Sequence, residues 1–257
     1  MTNRIIACVI AFALPFALAA CGSGDSASSQ DEASTQGAAS AAMAELPTDR
    51  HPDTTGWDRL FAPDLSGAAL ASPGSWTMEG GVLIANDRST IWNDAAYGDF
   101  VLDFEARVPD GTNSGVFFRT ADTTNILSAL ELQMHNPPGE DSEADAAHRY
   151  GGKNGMASMY DLKGPSGGTP NPAGEWNRFT ITAQDNMIYV VMNGEQVQAM
   201  NLNEWTEPGM TPDGEEHKFD RAMMNQAESG LIGFQGIHSE NGVSVEYRNL
   251  KIQRIGS

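Results

Sequence analysis

Phe100-Val101-Leu102-Asp103-Phe104-Glu105-Ala106-Arg107-Val108 alternates apolar and polar side chains with a period of two. In extended chain, Phe100, Leu102, Phe104, Ala106 and Val108 share one face, opposed by Val101, Asp103, Glu105 and Arg107. The same period recurs at Phe179, Ile181 and Ala183, at Ile188, Val190 and Met192, and at Val243, Val245 and Tyr247. Turn residues separate these runs. Asn193-Gly194 and Asn241-Gly242 are hairpin signals, because both central residues of a type I′ turn need positive φ, and Asp185-Asn186 is a third. Helical periodicity is confined to a turn near 142–149 and another near 220–228. The economical fold is all-β, a two-sheet antiparallel jelly-roll sandwich.

Two further runs carry chemistry as well as alternation. They are Asn113-Ser114-Gly115-Val116-Phe117-Phe118-Arg119 and Leu130-Glu131-Leu132-Gln133-Met134-His135. In the second, Leu130, Leu132 and Met134 point one way and Glu131, Gln133 and His135 the other. A solvated strand alternates whether or not it has a function. A carboxylate, an amide and an imidazole in one row nevertheless suit a polar ligand in a sheet concavity. Arg119, in period with Gly115 and Phe117, is expected to bring a cation beside that row.

The N-terminus carries a secretion signal. Arg4 precedes a short apolar run from Ile5 to Ala17, broken by Pro15 and closed by Leu18-Ala19-Ala20-Cys21. Such a run is too short for a membrane span and fits a signal-peptide core. Its ending resembles a bacterial lipoprotein signal, implying cleavage after residue 20 and lipidation of Cys21. With Gly22 next and no Asp there, delivery to the periplasmic side of the outer membrane is expected. Residues 21–50 hold almost nothing large and apolar before Leu46, so they read as a disordered tether reaching on the order of 30 Å. Residues 51–257 then form a single sandwich domain. Its membrane contact would be through the N-terminal lipid alone. With Cys8 in the signal and Cys21 lipidated, no thiol is left for a disulfide, a nucleophile or a zinc site.

The net charge of −19 disfavours nucleic acid and anionic lipid as partners and leaves neutral substrates or cations. Oligomeric state is not legible. Two long segments, 136–175 and 203–229, exceed ordinary connections and are expected to serve the concave face. The first holds His148, Arg149, Tyr150, Lys153, Asn154 and Tyr160, and reads as a rim or lid.

An ordered set of short motifs spans the chain from about 55 to 255. It includes Gly56-Trp57, Asp64-Leu65-Ser66-Gly67, Trp76 with Gly80-Gly81-Val82-Leu83, Tyr97-Gly98-Asp99-Phe100, Glu131-Leu132-Gln133, Met159-Tyr160, Gly174-Glu175-Trp176-Asn177 and Tyr247-Arg248-Asn249-Leu250-Lys251-Ile252. In this order the motifs resemble the 3-keto-disaccharide (3-keto-glycoside) hydrolase family. The resemblance implies a concanavalin- or laminin-G-like jelly roll with long loops over a concave ligand face. It also implies an oxidised, 3-keto saccharide or glycoside as substrate.

A ketone at C3 acidifies the C2 proton, so a base can remove it and the enolate can expel the C1 substituent before water adds. This route needs one base and donors where charge develops, not the two carboxylates of an ordinary glycosidase. Glucanases of this fold keep an acid at both ends of a five-residue strand segment. Here Glu131 is followed at the far end by His135.

The resemblance implies Glu131 and His238 as catalytic candidates and Arg119, Gln133, Tyr160 and Gln235 as substrate-binding residues; the strand row adds His135 as a second candidate histidine, and the 136–175 loop adds Lys153 as a substrate-binding residue. Gly233-Phe234-Gln235-Gly236-Ile237-His238-Ser239 departs from the family's Leu-Gln-Asp-His-Gly type sequence, since the His comes one residue late and lacks the preceding Asp. Bland alternatives stand beside each reading. His238 could be an exposed loop histidine, Arg119 a structural ion pair with Glu105 or Glu131, and Tyr160 an anchor for its loop. Trp76, Trp92 and Trp176 read as core. No cofactor is expected. No His/Asp cluster has metal-ligand spacing, and a structural or catalytic divalent metal is left open. The competing function is a non-catalytic carbohydrate-binding lipoprotein using the same face.

Overall fold

The computed structural model describes residues 46–137, 152–239 and 242–256. The signal peptide, Cys21, most of the tether, the helical turn near 142–149, and His148, Arg149 and Tyr150 lie outside the described residues.

Twelve strands follow in chain order: β1 (Asp58–Arg59), β2 (Trp76–Glu79), β3 (Val82–Ala85), β4 (Ile91–Trp92), β5 (Phe100–Arg107), β6 (Thr112–Thr120), β7 (Leu130–Asn136), β8 (Trp176–Gln184), β9 (Met187–Met192), β10 (Glu195–Asn201), β11 (Leu231–Phe234) and β12 (Glu246–Arg254). The larger sheet runs β10-β9-β8-β5-β12-β3-β2, with β1 paired to β12; the smaller runs β4-β11-β6-β7. Every pairing is antiparallel. The fold is the expected two-sheet jelly-roll sandwich.

The alternation read at 100–108 is the core face of β5. Phe100, Leu102, Phe104 and Ala106 are fully buried, as are Val116, Phe118, Leu132, Met134, Ile232 and Phe234 of the smaller sheet. The sheets interlock through aromatic edges: Phe104 meets Phe234 at 5.8 Å, Phe234 meets Tyr247 at 4.7 Å and Phe100 meets Phe118 at 6.0 Å between ring centroids. Edge-to-face rings contribute about 0.5–1.5 kcal/mol each beyond their buried area. Of the tryptophans read as core, Trp76 is buried there. Trp92 instead stacks on Phe117 in a separate cluster, and Trp176 lies under the guanidinium groups of Arg107 and Arg248.

Asn193 and Gly194 take φ of 50° and 89° in the hairpin joining β9 to β10, and Asp185 takes 48° between β8 and β9. Asn241 of the Asn241-Gly242 signal lies outside the described residues; β11 and β12, which precede and follow it, belong to different sheets and do not pair with each other. The turn read near 220–228 is a single 3-10 turn, Met223–Asn225.

Arg119 departs most from the sequence reading. Opposite β11, Phe117 pairs with Gly233 and Thr120 with Leu231, so two residues of β6 face one of its neighbour. This is a β-bulge, with Arg119 at φ 55°. The extra residue breaks the period of two and takes Arg119 off the row of Gly115 and Phe117. Its side chain, 1% exposed, donates through Nη1 to the Asp185 carbonyl (2.6 Å) and pairs through Nη2 with Asp99 (3.2 Å). It therefore ties β6 to the β8–β9 turn, and its partner is neither Glu105 nor Glu131. Truncating it removes a buried cation and its packing. Arg119→Ala is expected to lower unfolding stability by about 3 kcal/mol, measured by urea denaturation at pH 7.

Candidate active site

The row on the outer, concave face of the smaller sheet forms the floor of the site. Phe117 stands opposite Glu131, and Gly115 opposite Gln133, across β6 and β7. The Glu131 side chain leans over Gly115: a Cβ built at Gly115 would lie 2.1 Å from Glu131 Oε1 and 2.8 Å from its carboxyl carbon. The missing side chain at 115 is therefore the space the carboxylate occupies. The hydrogen-bond network turns the Gln133 amide nitrogen toward Glu131 Oε1 and the Ser114 carbonyl, 3.3 Å from each.

β7 would be a bare sheet edge, but a later segment covers it. Gln133 N–H donates to the Ser158 carbonyl, Ala157 N–H to the Gln133 carbonyl and Tyr160 N–H to the Glu131 carbonyl, each at 2.9 Å. Met159 points into the core, which leaves Tyr160 beside the carboxylate. Sequence reasoning missed the next group. Lys218 arrives from the 203–229 loop, its backbone N–H donating to Asp161 Oδ2 (2.7 Å) and its Nζ resting 3.5 Å over the Tyr160 ring. That cation–π contact holds the ammonium without a carboxylate partner at the same point.

On the other side, Gln235 is fixed by its N–H to the Gly115 carbonyl (2.9 Å). Beneath it Ser114 Oγ donates to the Gln235 carbonyl (2.8 Å) and accepts from the Tyr247 hydroxyl (2.7 Å). Burial pushes the Tyr247 phenol well above its usual range, so it stays a neutral donor. Gln235 Oε1 is buried without a hydrogen-bond partner, an acceptor available to a ligand hydroxyl.

These groups line one cavity of about 120 Å³: Glu131, Gln133, Tyr160, Gln235 and His238 of the expected set, joined by Asn113 and Lys218, with Ile126, Leu127, Ala129 and Phe219 as an apolar side. His238 is exposed at its edge. Three expected residues lie elsewhere. Arg119 is inside the sandwich end. His135 shares the row with Glu131 but is four residues on, about 13 Å along the strand at 3.3 Å per residue. It lines a different cavity with Asn136 and Asn177, its Nδ1 3.2 Å from the Asn154 carbonyl. Lys153 pairs with Glu215 (2.8 Å) and lines a third cavity, of about 380 Å³, with Trp205.

Burial raises the Glu131 carboxyl from its ordinary value of 4.5 to about 7, and the positive charge of Lys218 partly offsets that rise. A carboxyl poised there can take or give a proton near neutral pH. Among the described residues Glu131 is the one carboxylate lining this cavity. Among the described residues no group of three or more His, Cys, Asp or Glu side chains could hold a metal ion.

Residues 53–253 match the model of the 3-keto-alpha-glucoside-1,2-lyase-like domain. A 3-keto-disaccharide hydrolase of Bacteroides thetaiotaomicron is 24% identical over 211 residues, covering 70% of each chain. Among solved structures, a candidate glycosyl hydrolase from Parabacteroides distasonis superposes with a TM-score of 0.69 at 28% identity, over 77% of this chain and 99% of that one. A second from the same organism gives 0.58 at 19% identity, over 78% and 94%, and shares the fold.

The buried carboxyl has a consequence for stability. Because Glu131 binds its proton more tightly folded than unfolded, the native state holds more protons between pH 4.5 and about 7, and stability falls as pH rises through that window. Glu131→Gln removes this penalty. Its stability relative to the parent chain should improve between pH 4 and pH 8 by on the order of 3 kcal/mol, read from denaturation at both pH values. A difference that does not change with pH would contradict the assignment.

Proposed function

The chain belongs to the 3-keto-alpha-glucoside-1,2-lyase-like family, and from that premise we propose that it cleaves 3-keto-glycosides by elimination across C1 and C2 followed by hydration. The observation that carries the reading is Glu131, its carboxyl raised to about 7 and the one carboxylate among the described residues lining a cavity that also holds Lys218 and three side-chain amides. Hydrolysis of an unactivated glycoside calls for two carboxylates facing the scissile bond. Removal of a proton beside a ketone calls for one base and a stabilised enolate.

In this reading Glu131 takes the C2 proton. Negative charge passes to the C3 oxygen, where the Lys218 ammonium supplies positive charge and a donor. The C1–O bond breaks, and His238 at the cavity edge gives the departing oxygen its proton. The sugar is left with a C1=C2 double bond conjugated to the ketone. Water then adds its oxygen to C1 and gives up a proton to His238, while Glu131 returns a proton to C2, restoring both groups. Gln235 Oε1, unpaired in its buried position, is suited to a sugar hydroxyl. Gly115 acts indirectly, by leaving room for the carboxylate.

The lipoprotein reading of residues 1–21 completes the proposal. It places this chemistry on a tether at the periplasmic side of the outer membrane, with Cys21 carrying the lipid; mass spectrometry of the membrane-extracted protein would detect it.

The purified domain is expected to release 3-keto-glucose from a 3-keto-disaccharide. Glu131→Gln should lower kcat by about 10²–10⁴-fold while substrate binding survives, which separates a base from a binding face without chemistry. The rate should rise with pH through about 7 as Glu131 ionises. Because the Lys218 charge favours the ionised carboxylate and limits the rise in its pKa, Lys218→Met should move the rising limb to higher pH. A limb that stays in place after this change would remove Lys218 from the account.

A further inference from the structure

The cavity has two chemically different sides, and the apolar one has no role in the proton transfers above. Ile126 and Leu127 line it and are 41% and 47% exposed, two of the four large apolar side chains exposed among the described residues. They sit on a 3-10 turn, Ile126–Ser128, none of whose residues is buried. Hydrophobic packing therefore does not hold this turn in place.

Hydrogen bonds hold it instead. Arg221 Nη1 donates to the Leu127 carbonyl (2.6 Å), and its Nη2 donates to the Ser128 carbonyl (3.1 Å). Gln226 Nε2 donates to the Ser128 carbonyl (2.9 Å) and to the Arg119 carbonyl (2.7 Å), while its Oε1 accepts from Arg221 Nη2 (2.7 Å). An arginine and a glutamine from the long 203–229 loop thus pin the backbone, and two branched aliphatic side chains are left facing solvent at the cavity wall. Phe219 and Ala129 continue the same wall inward toward Glu131. Exposed aliphatic groups fixed by polar contacts to their backbone are a surface prepared for an apolar occupant.

Resting on the reaction proposed for this site, we propose that Ile126 and Leu127 form the aglycone subsite and select 3-keto-glycosides whose C1 substituent is apolar or aromatic. The sugar lies against Glu131, Gln133 and Gln235, and its leaving group lies over the 126–127 turn. A second sugar in that place would set its hydroxyls against two aliphatic side chains and leave them unpaired there. An aromatic ring would cover those side chains and lose no hydrogen bond.

The test compares kcat/KM for a phenyl 3-keto-glucoside and a 3-keto-disaccharide of the same anomeric configuration. The parent chain should favour the phenyl substrate. The Ile126→Ser, Leu127→Ser double variant should lower the phenyl-to-disaccharide ratio at least about tenfold, the scale set by removing apolar groups from a specificity pocket. Leu127→Phe, which enlarges the apolar surface, should move the ratio the other way. If the parent chain favours the disaccharide, or both variants leave the ratio unchanged, the subsite assignment is overturned while the reaction stands. If the parent chain releases neither aglycone, the reaction itself is overturned and the subsite with it.

Discussion

A carboxylate lying down on the outer, concave face of a sheet must be given room, and here Gly115 provides it. A methyl group at that position would overlap Glu131 Oε1 at 2.1 Å, so the acid can lie down over its neighbouring strand only while residue 115 lacks a side chain. Lying there it loses water, and the loss of water raises its proton affinity to near neutrality. The backbone of β6, the register of β7 and the titration of the site are thus linked through one missing Cβ. Gly233 repeats the device next door, where a Cβ would meet the Trp92 ring at 2.5 Å. The outer face of the smaller sheet is shaped by such absences as much as by its side chains.

The rest of the site divides between sheet and loop. Strands β6, β7 and β11 supply Asn113, Glu131 and Gln133 and the start of the run that carries Gln235; their positions are set by ladder hydrogen bonds and by a core that leaves no slack. Tyr160 comes from a segment that covers the β7 edge and is placed almost as firmly, through backbone bonds. Lys218 comes from a loop anchored by Phe219 and Met223 in the core and by Arg221 and Gln226 on the backbone at residues 119 and 127–128, and its own contacts are Asp161 and the Tyr160 ring. Base and cation are thus carried by different parts of the fold, a strand and a loop.

Most of the sheet was legible in the sequence because the period of two is a direct consequence of strand geometry. Leu130, Leu132 and Met134 went to the core, and Glu131 and Gln133 to the opposite face, as alternation requires. Alternation failed where backbone irregularity broke it. Arg119 was counted in phase with Gly115 and Phe117, and one bulged residue sent it to the sandwich end; a positive φ at an arginine leaves no compositional trace. His135 kept the right face but lay too far along the strand, a matter of distance that facing alone does not convey. Lys153 and Lys218 both sit in loops, where no period ranks one lysine above another. Arg119 and Lys153 were expected to bring positive charge to the site, and Lys218 lines it instead. The long 203–229 segment was the available signal for it, since a loop of that length in a compact β fold usually serves a site.

The central claim is that the bond at C1 breaks after a proton leaves C2. A 3-keto-glycoside deuterated at C2, turned over in ordinary water and followed by mass spectrometry of the released 3-keto-glucose, tests it most directly. Elimination by Glu131 predicts that aglycone release is slower than from the unlabelled substrate, with deuterium lost wherever the carboxyl exchanges with solvent before it returns its proton to C2. Product that retains all of its deuterium and is released as fast as from the unlabelled substrate would mean that water displaces the aglycone at C1 without touching C2, and would contradict the account.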